Sequence, residues 1–188
     1  MVTGLILVDI QNDYFPGGKM ELVRMNEASS NAEDLLSLFR KNKWPTFHIQ
    51  HISESEDATF FLPNTDGVEL HESIKPLPEE TLIQKKSPNS FRDTRLLKEL
   101  RNIGVEQVVI CGAMSHMCID ATTRAATDLG YSCIVVHDAC ATKNLEFEGI
   151  KILAEDVHGS FMAALGSAYA KVLTFKEFLS NTNLYVKK

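Results

Sequence analysis

No stretch of this sequence stays apolar for more than about half of the roughly 20 residues a bilayer span requires. A membrane-crossing helix is therefore not expected. Basic residues never run beyond two in a row, and 19 Lys and Arg stand against 25 Asp and Glu, a net charge of −6. A phosphate backbone is recognised by concentrated positive charge, so nucleic acid is not an expected partner. Glycine and proline number ten and six in 188 residues, too few for a disordered or low-complexity chain. Neither a strand–GxGxxG–helix nor a GxxxxGK(S/T) pattern occurs, which removes the common phosphate-binding loops. Among the four cysteines (Cys111, Cys118, Cys133, Cys140) there is no Cys-x-x-Cys pair, so a structural zinc or dithiol motif is not expected. The opening MVTGLILVDIQNDY has no charged leader and carries Asp9 in its apolar stretch, so it reads as a strand rather than an export signal. Reduced cysteines in the cytoplasm follow as the expectation. The residues call for neither a metal nor another cofactor.

What is present is an alternation. TGLILVD at 3–9 is a short apolar run ending in an acid, as in a strand buried on both faces. Ala28, Ala32, Leu35 and Phe39 recur at helical spacing from Asn26 to Asn42. TFHIQHI at 46–52 predicts a second strand and TLIQK at 81–85 a third. Between them, 53–80 is irregular and long enough to serve as a lid or pocket wall. A helix from about Thr94 should carry Leu97, Leu100 and Ile103 inward. EQVVICG at 106–112 reads as a fourth strand. A helix over Cys118–Leu129 should bury Cys118, Ala121 or Thr122, Ala125 and Leu129, with Gly130 just past its end. SCIVVHD, a helix within 155–168, KVLT, and a Thr174-x-x-Glu177 capping box complete the chain. Strand and helix alternating throughout predict an α/β fold: one Rossmann-like domain over 1–188, three layers, about six parallel strands with helices on both faces.

In such sheets ligands bind beyond the carboxyl ends of the strands, at a switch in strand order. Asp9, the lysines at 85 and 86, and the Gly112–Cys118 turn all fall at predicted strand ends, so the fold would gather them on one rim. Cys118 could be core filling, a redox or metal ligand, or a nucleophile. A helix N-terminus beside it would lower its pKa and supply N–H groups for an oxyanion. Asp9 could cap a loop, a role Asp13 fits better, or act as a general base. Lys85 or Lys86 could be a solvated surface cation, or could keep that acid ionised. His48 and His51, three apart in a strand, point to opposite faces and do not suggest a joint metal site. His71, His137 and His158 show no ligand spacing. His116, in the cysteine turn, is a candidate for lining the pocket, as are Phe15 and Phe60 with Phe61. Residues of 53–80 and 143–156 are expected to set the substrate.

Three segments in order, LILVDIQNDYF, IQKKSPNSF and VVICGAMSHMCIDATTRAATDLGY, resemble those of the isochorismatase-like cysteine hydrolases, which include nicotinamidase, N-carbamoylsarcosine amidohydrolase and ureidoacrylate hydrolase. The likeness runs from the first strand to VLTFKEFL. It implies Cys118 as nucleophile, Asp9 as base and Lys85 as third triad member, Lys85 being chosen because it stands six residues before Phe91. It also implies a non-proline cis peptide at Ala113–Met114, aiming the Met114 and Cys118 N–H groups at the substrate oxygen. FHIQHIS lacks the Asp-x-His metal site that nicotinamidases share, so neither that metal nor nicotinamide is implied. The family's isochorismatases cleave a vinyl ether without needing a thiol, whereas the cysteine here favours amide hydrolysis through a thioester. The expectation is therefore a metal-independent hydrolase of a small carboxamide or ureido compound, assembling as a homo-oligomer. Ether hydrolysis, and a non-catalytic binding or redox-sensing role, are the alternatives.

Overall fold

The computed structural model describes residues 1–185. The elements are β1 (Val2–Val8), α1 (Met25–Asn42), β2 (Thr46–His51), β3 (Thr81–Lys85), α2 (Leu96–Ile103), β4 (Val105–Ala113), α3 (Asp120–Asp128), β5 (Ser132–Ala141), β6 (Leu145–Phe147), β7 (Ile150–Ile152), α4 (Ala154–Ala168), β8 (Lys171–Leu173), α5 (Phe175–Ser180) and α6 (Thr182–Tyr185). Six strands form one parallel sheet in the order β3-β2-β1-β4-β5-β8, and β6 and β7 make a separate antiparallel hairpin. The sheet is buried on both faces, which is why Leu5, Ile6, Leu7 and Val8 of β1, and Val108, Val109, Ile110 and Cys111 of β4, are almost fully covered. Helix α1 packs on β5, β4, β1 and β2, and α5 joins that layer through Phe178 stacked on Phe39; α2, α3 and α4 form the other layer. Among the described residues no helix is long and apolar enough to cross a membrane.

Chain order runs outward from β1 in both directions, first to β2 and β3 and then across to β4. The switch point is therefore the gap between the ends of β1 and β4. There Gly112, at φ +121°, lies so close to β1 that a Cβ would overlap the Val8 carbonyl oxygen. Segment 53–80 contains only two short 3-10 turns, Asp66–Val68 and Glu72–Ile74, and is tied down by named groups. Asp13 accepts from the backbone N–H of Phe61 at 2.7 Å and of Lys19 at 3.1 Å, the loop-anchor role expected of it. Glu80 accepts from Arg40 at 2.7 Å and lies 2.9 Å from His48 Nε2.

The periodicity of two helices differs from the expected one. In α2 the buried residues are Leu96 and Leu100, while Leu97 is half-buried and Ile103 is 45 % exposed. Ile103 is the last residue before Gly104 turns the chain out at φ +74°, which leaves it at the open end of the helix. The helical run around Cys118 starts earlier than expected, with a π-type turn over Ser115–Ile119 that passes directly into α3. A π turn carries one residue more than its neighbours, so it rotates every later position. The buried stripe becomes Cys118, Thr122, Thr123 and Ala126; Ala121 and Ala125 are half-buried, and Leu129 is 40 % exposed. Gly130 does follow the helix at φ +92°, and the capping box of Thr174 and Glu177 is formed. The β6–β7 hairpin was not anticipated within 143–156.

Candidate active site

Parallel pairing aligns the strand ends. Val8 is in register with Gly112, and His51 with Lys85, so the residues that close β1, β2, β3 and β4 meet at one edge. Asp9 follows β1 in a left-handed conformation (φ +52°), which aspartate tolerates better than most residues and which ends the strand. Its Oδ2 lies 2.8 Å from Lys85 Nζ, with both side chains fully covered. Lys86, the other candidate lysine, is an exposed partner of Glu54 instead. Lys85 also donates to the carbonyl oxygens of Ser87 (3.0 Å) and Pro88 (3.1 Å). The loop after β3 thus helps hold the ammonium beside Asp9.

Cys118 Sγ, a carboxylate oxygen of Asp9 and a ring nitrogen of His51 all lie within 4.8 Å of one another. Apart from the ion pair, neither Asp9 oxygen accepts a hydrogen bond. A buried carboxylate so short of donors is ready to take a proton. The Ala113–Met114 peptide immediately before the helical run is cis.

The charges follow from the surroundings. Burial alone would raise the Asp9 carboxyl, but the Lys85 ammonium and the His51 ring outweigh it and hold the group below the usual carboxylate range. Burial works to lower Lys85, and the Asp9 carboxylate, helped by the sulfur, overcomes it and raises the ammonium. For Cys118, burial and then the Asp9 charge push the thiol far above its ordinary value, and Lys85 offsets only part. The helix N-terminus was expected to lower that pKa; Cys118 is only 3 % exposed, and desolvation dominates. At rest the cluster is carboxylate, ammonium and neutral thiol. Asp9, His51 and Cys118 are near enough to share a metal ion, yet Lys85 already neutralises the carboxylate at 2.8 Å, and a second cation would sit against its charge. The donor set does not fit a resident metal.

The pocket-lining candidates separate. Phe15 stacks on His71 at 3.7 Å and borders a cavity of about 840 Å³ between the 12–19 and 59–75 loops, which contains none of Asp9, Lys85 or Cys118. Another cavity, of about 890 Å³, lies among α1, the end of β5 and α4, and takes Asn144, Leu153, Ala154 and Glu155 from the 143–156 segment. The hairpin's Phe147 and Ile150 are exposed. Phe60 packs on Tyr14 and Phe61, and His116 Nδ1 bonds Thr142 Oγ1. Two residues at the cluster escaped the sequence reading. One is His51, which the strand-end rule that found Asp9 and Lys85 would also have found. The other is Tyr14, buried 4.6 Å from Phe61; burial, then the charges of Cys118, Asp9 and Asp13, raise its hydroxyl well above the usual value. No spacing in the sequence marks Tyr14.

Comparison with known proteins agrees over nearly the whole chain. A family model described as the isochorismatase domain matches residues 3–173. The uncharacterized isochorismatase family protein YddQ of Bacillus subtilis is 55 % identical over 179 residues, 95 % of this chain and 99 % of that protein. Streptothricin hydrolase of Streptomyces noursei is 30 % identical over 172 residues, 90 % of this chain and 58 % of its own. The crystal structure of an isochorismatase from Pseudomonas putida superposes with a TM-score of 0.88 at 33 % identity, covering 93 % of this chain and 89 % of that one.

Proposed function

This chain belongs to the isochorismatase family of hydrolases, and from that premise we propose that it cleaves the C–N bond of a small carboxamide or ureido compound through a thioester on Cys118. The observation that carries the reading is the buried cluster: a neutral thiol beside a carboxylate that is ionised by its lysine and accepts no hydrogen bond. Asp9 takes the thiol proton as the sulfur attacks the substrate carbonyl. The S–C bond forms, and the carbonyl oxygen becomes an anion held by the Met114 and Cys118 main-chain N–H groups. As the C–N bond breaks, Asp9 passes its proton to the departing nitrogen, which leaves as ammonia or an amine. Water then cleaves the thioester and restores the thiol. Lys85 keeps Asp9 charged between turnovers.

A thiol supports this reading over ether hydrolysis, because protonating a vinyl ether requires an acid and no nucleophile. The test is a panel of small amides scored by ammonia release, followed by intact-mass analysis. A covalent adduct in the wild type that disappears in Cys118→Ala is the expected result. Full turnover by Cys118→Ala would overturn the assignment.

A further inference from the structure

The Lys85 ammonium has to stand on Asp9 for the steps above, yet residues 86–95, which follow it, form neither helix nor strand. We propose that Thr122 is a positioning residue: its hydroxyl fastens this turn to the helical run of Cys118 and so sets where the ammonium stands. The inference rests on the Asp9–Lys85–Cys118 reading.

Three observations carry it. First, the turn holds the ammonium. Lys85 Nζ donates to the carbonyl oxygens of Ser87 at 3.0 Å and Pro88 at 3.1 Å, lies 2.8 Å from Asp9 Oδ2, and is 3.4 Å from His51 Nδ1. An ammonium has three N–H groups. The four acceptors therefore compete, and the placing of the two carbonyls governs how the third N–H meets Asp9. Second, one side chain of α3 fastens the turn. Thr122 Oγ1 accepts from the Ser90 N–H at 3.1 Å and lies 2.8 Å from Ser90 Oγ, close enough for one hydroxyl to donate to the other. It also faces the Pro88 carbonyl at 3.4 Å, one of the two that hold the ammonium. Thr122 and Ser90 are both 0 % exposed, so these bonds are made out of reach of solvent. Third, Thr122 shares its helical run with the thiol, four residues after Cys118 on the same buried stripe. Its hydroxyl is turned to the loop, whereas that of Thr127 bonds back to the Thr123 carbonyl of its own helix at 3.0 Å. The contacts close a ring: from Cys118 along the helix to Thr122, through Pro88 to Lys85, on to Asp9, and back to the sulfur, which lies within 4.8 Å of an Asp9 oxygen.

Thr122→Val nearly keeps the shape and removes the hydroxyl. The Ser90 N–H and O–H then lose their partner in a covered place, a cost the turn relieves by moving, and the Pro88 carbonyl moves with it. The ammonium loses an acceptor that favours its charged form, and its hold on Asp9 weakens. The titratable groups around Asp9 are Lys85 from β3, His51 from β2, Cys118 from the π turn and the phenol of Tyr14; of these, Lys85 is the one bonded to the turn. With burial unchanged and the ammonium less well held, the Asp9 carboxyl ionises at higher pH.

The test is the pH profile of p-nitrophenyl acetate hydrolysis, read where phenol and phenolate absorb equally and normalised to the folded fraction from near-UV circular dichroism. The acid limb of kcat/KM reports the essential base of the free enzyme. In the wild type it should lie below the ordinary aspartate value of about 3.9. In Thr122→Val it should move up by about one pH unit, a share of the about 1–3 units that a neighbouring opposite charge supplies. At neutral pH kcat should fall by ~10-fold or more, as it does when a reacting group is slightly misplaced. Thr122→Ser keeps the hydroxyl and should restore both to near wild-type values. A limb that stays in place in Thr122→Val overturns the role even if the rate falls, because a purely structural threonine would change the folded fraction and not the limb; failure of serine to restore the limb overturns it as well. Should Thr122→Val not fold, Ser90→Ala carries the test: it removes one of the bonds, a smaller upward shift is expected, and no shift overturns the role. Ester turnover that survives Cys118→Ala would overturn the nucleophile assignment itself, and this role with it.

Discussion

Removing the ammonium of Lys85 while keeping its bulk, in Lys85→Met, should make stability depend on pH in a way the wild type does not. At 2.8 Å the Asp9–Lys85 attraction is of order 6 kcal/mol at an effective dielectric of ~20, before the cost of stripping water from both groups is subtracted. Loss of one partner of such a pair costs about 3–5 kcal/mol, because the other charge is stranded. In the wild type the folded-state pKa of Asp9 is lowered, so its contribution is complete above the unfolded value near 3.8 and is lost only as pH falls through the folded one. The pKa of Lys85 is raised, so its contribution is complete below the unfolded value near 10.5 and is lost as pH rises through the folded one. Between those limits the pair adds no slope. In the variant burial is opposed only by the His51 ring, and the Asp9 carboxyl moves up instead. The folded state then holds a proton that the unfolded chain has released, so stability falls by about 1.4 kcal/mol for each pH unit above roughly 4. The fall stops once it has reached about 3–5 kcal/mol, where the folded carboxyl also ionises. Urea unfolding of both proteins at pH 4.5, 6 and 7.5 measures the gap. It should be small at the acid end and widen stepwise. A gap of constant size would mean that Lys85 acts through packing alone and would refute the electrostatic account.

Two further expectations concern the frame around the site. Gly112→Ala should cost more than about 3 kcal/mol, because the added Cβ overlaps backbone at Val8 and φ is +121°; thermal melting reads this, and a near-native melting temperature would show that β1 and β4 can part there. Leu100→Ala should cost about 2–5 kcal/mol and Ile103→Ala within about 0.5, since the first side chain is fully buried and the second 45 % exposed. Equal costs from chemical denaturation would restore the helical face read from the sequence.

Much of this molecule was legible before any coordinates. The strands announce themselves because a parallel sheet covered on both faces needs unbroken apolar runs, and LILV and VVIC supply them. The meeting of Asp9 and Lys85 was legible from the ends of β1 and β3, and the approach of Cys118 from the turn that follows β4. The phase of the two helices was not. In α2 the choice between Leu96–Leu100 and Leu97–Leu100–Ile103 rests on where a short helix stops, which packing decides. In α3 it rests on one extra residue in the first turn, for which SHMCI carries no signal. The direction of the Cys118 pKa shift was missed for a related reason. A helix end is visible in a sequence, but the depth at which it lies is not, and depth outweighs the dipole here.

That depth bears on how the sulfur survives between turnovers. Peroxides and alkylating agents attack thiolates that they can reach. A protonated thiol on a residue only 3 % exposed offers them little, even beside a lysine. As the proposed nucleophile, it would react only once a small carbonyl compound enters and the proton passes to Asp9. A sensor of oxidants would need the reverse arrangement, an open and ionised cysteine. Under the proposed mechanism, the same burial that hinders ionisation would reserve Cys118 for its own substrate.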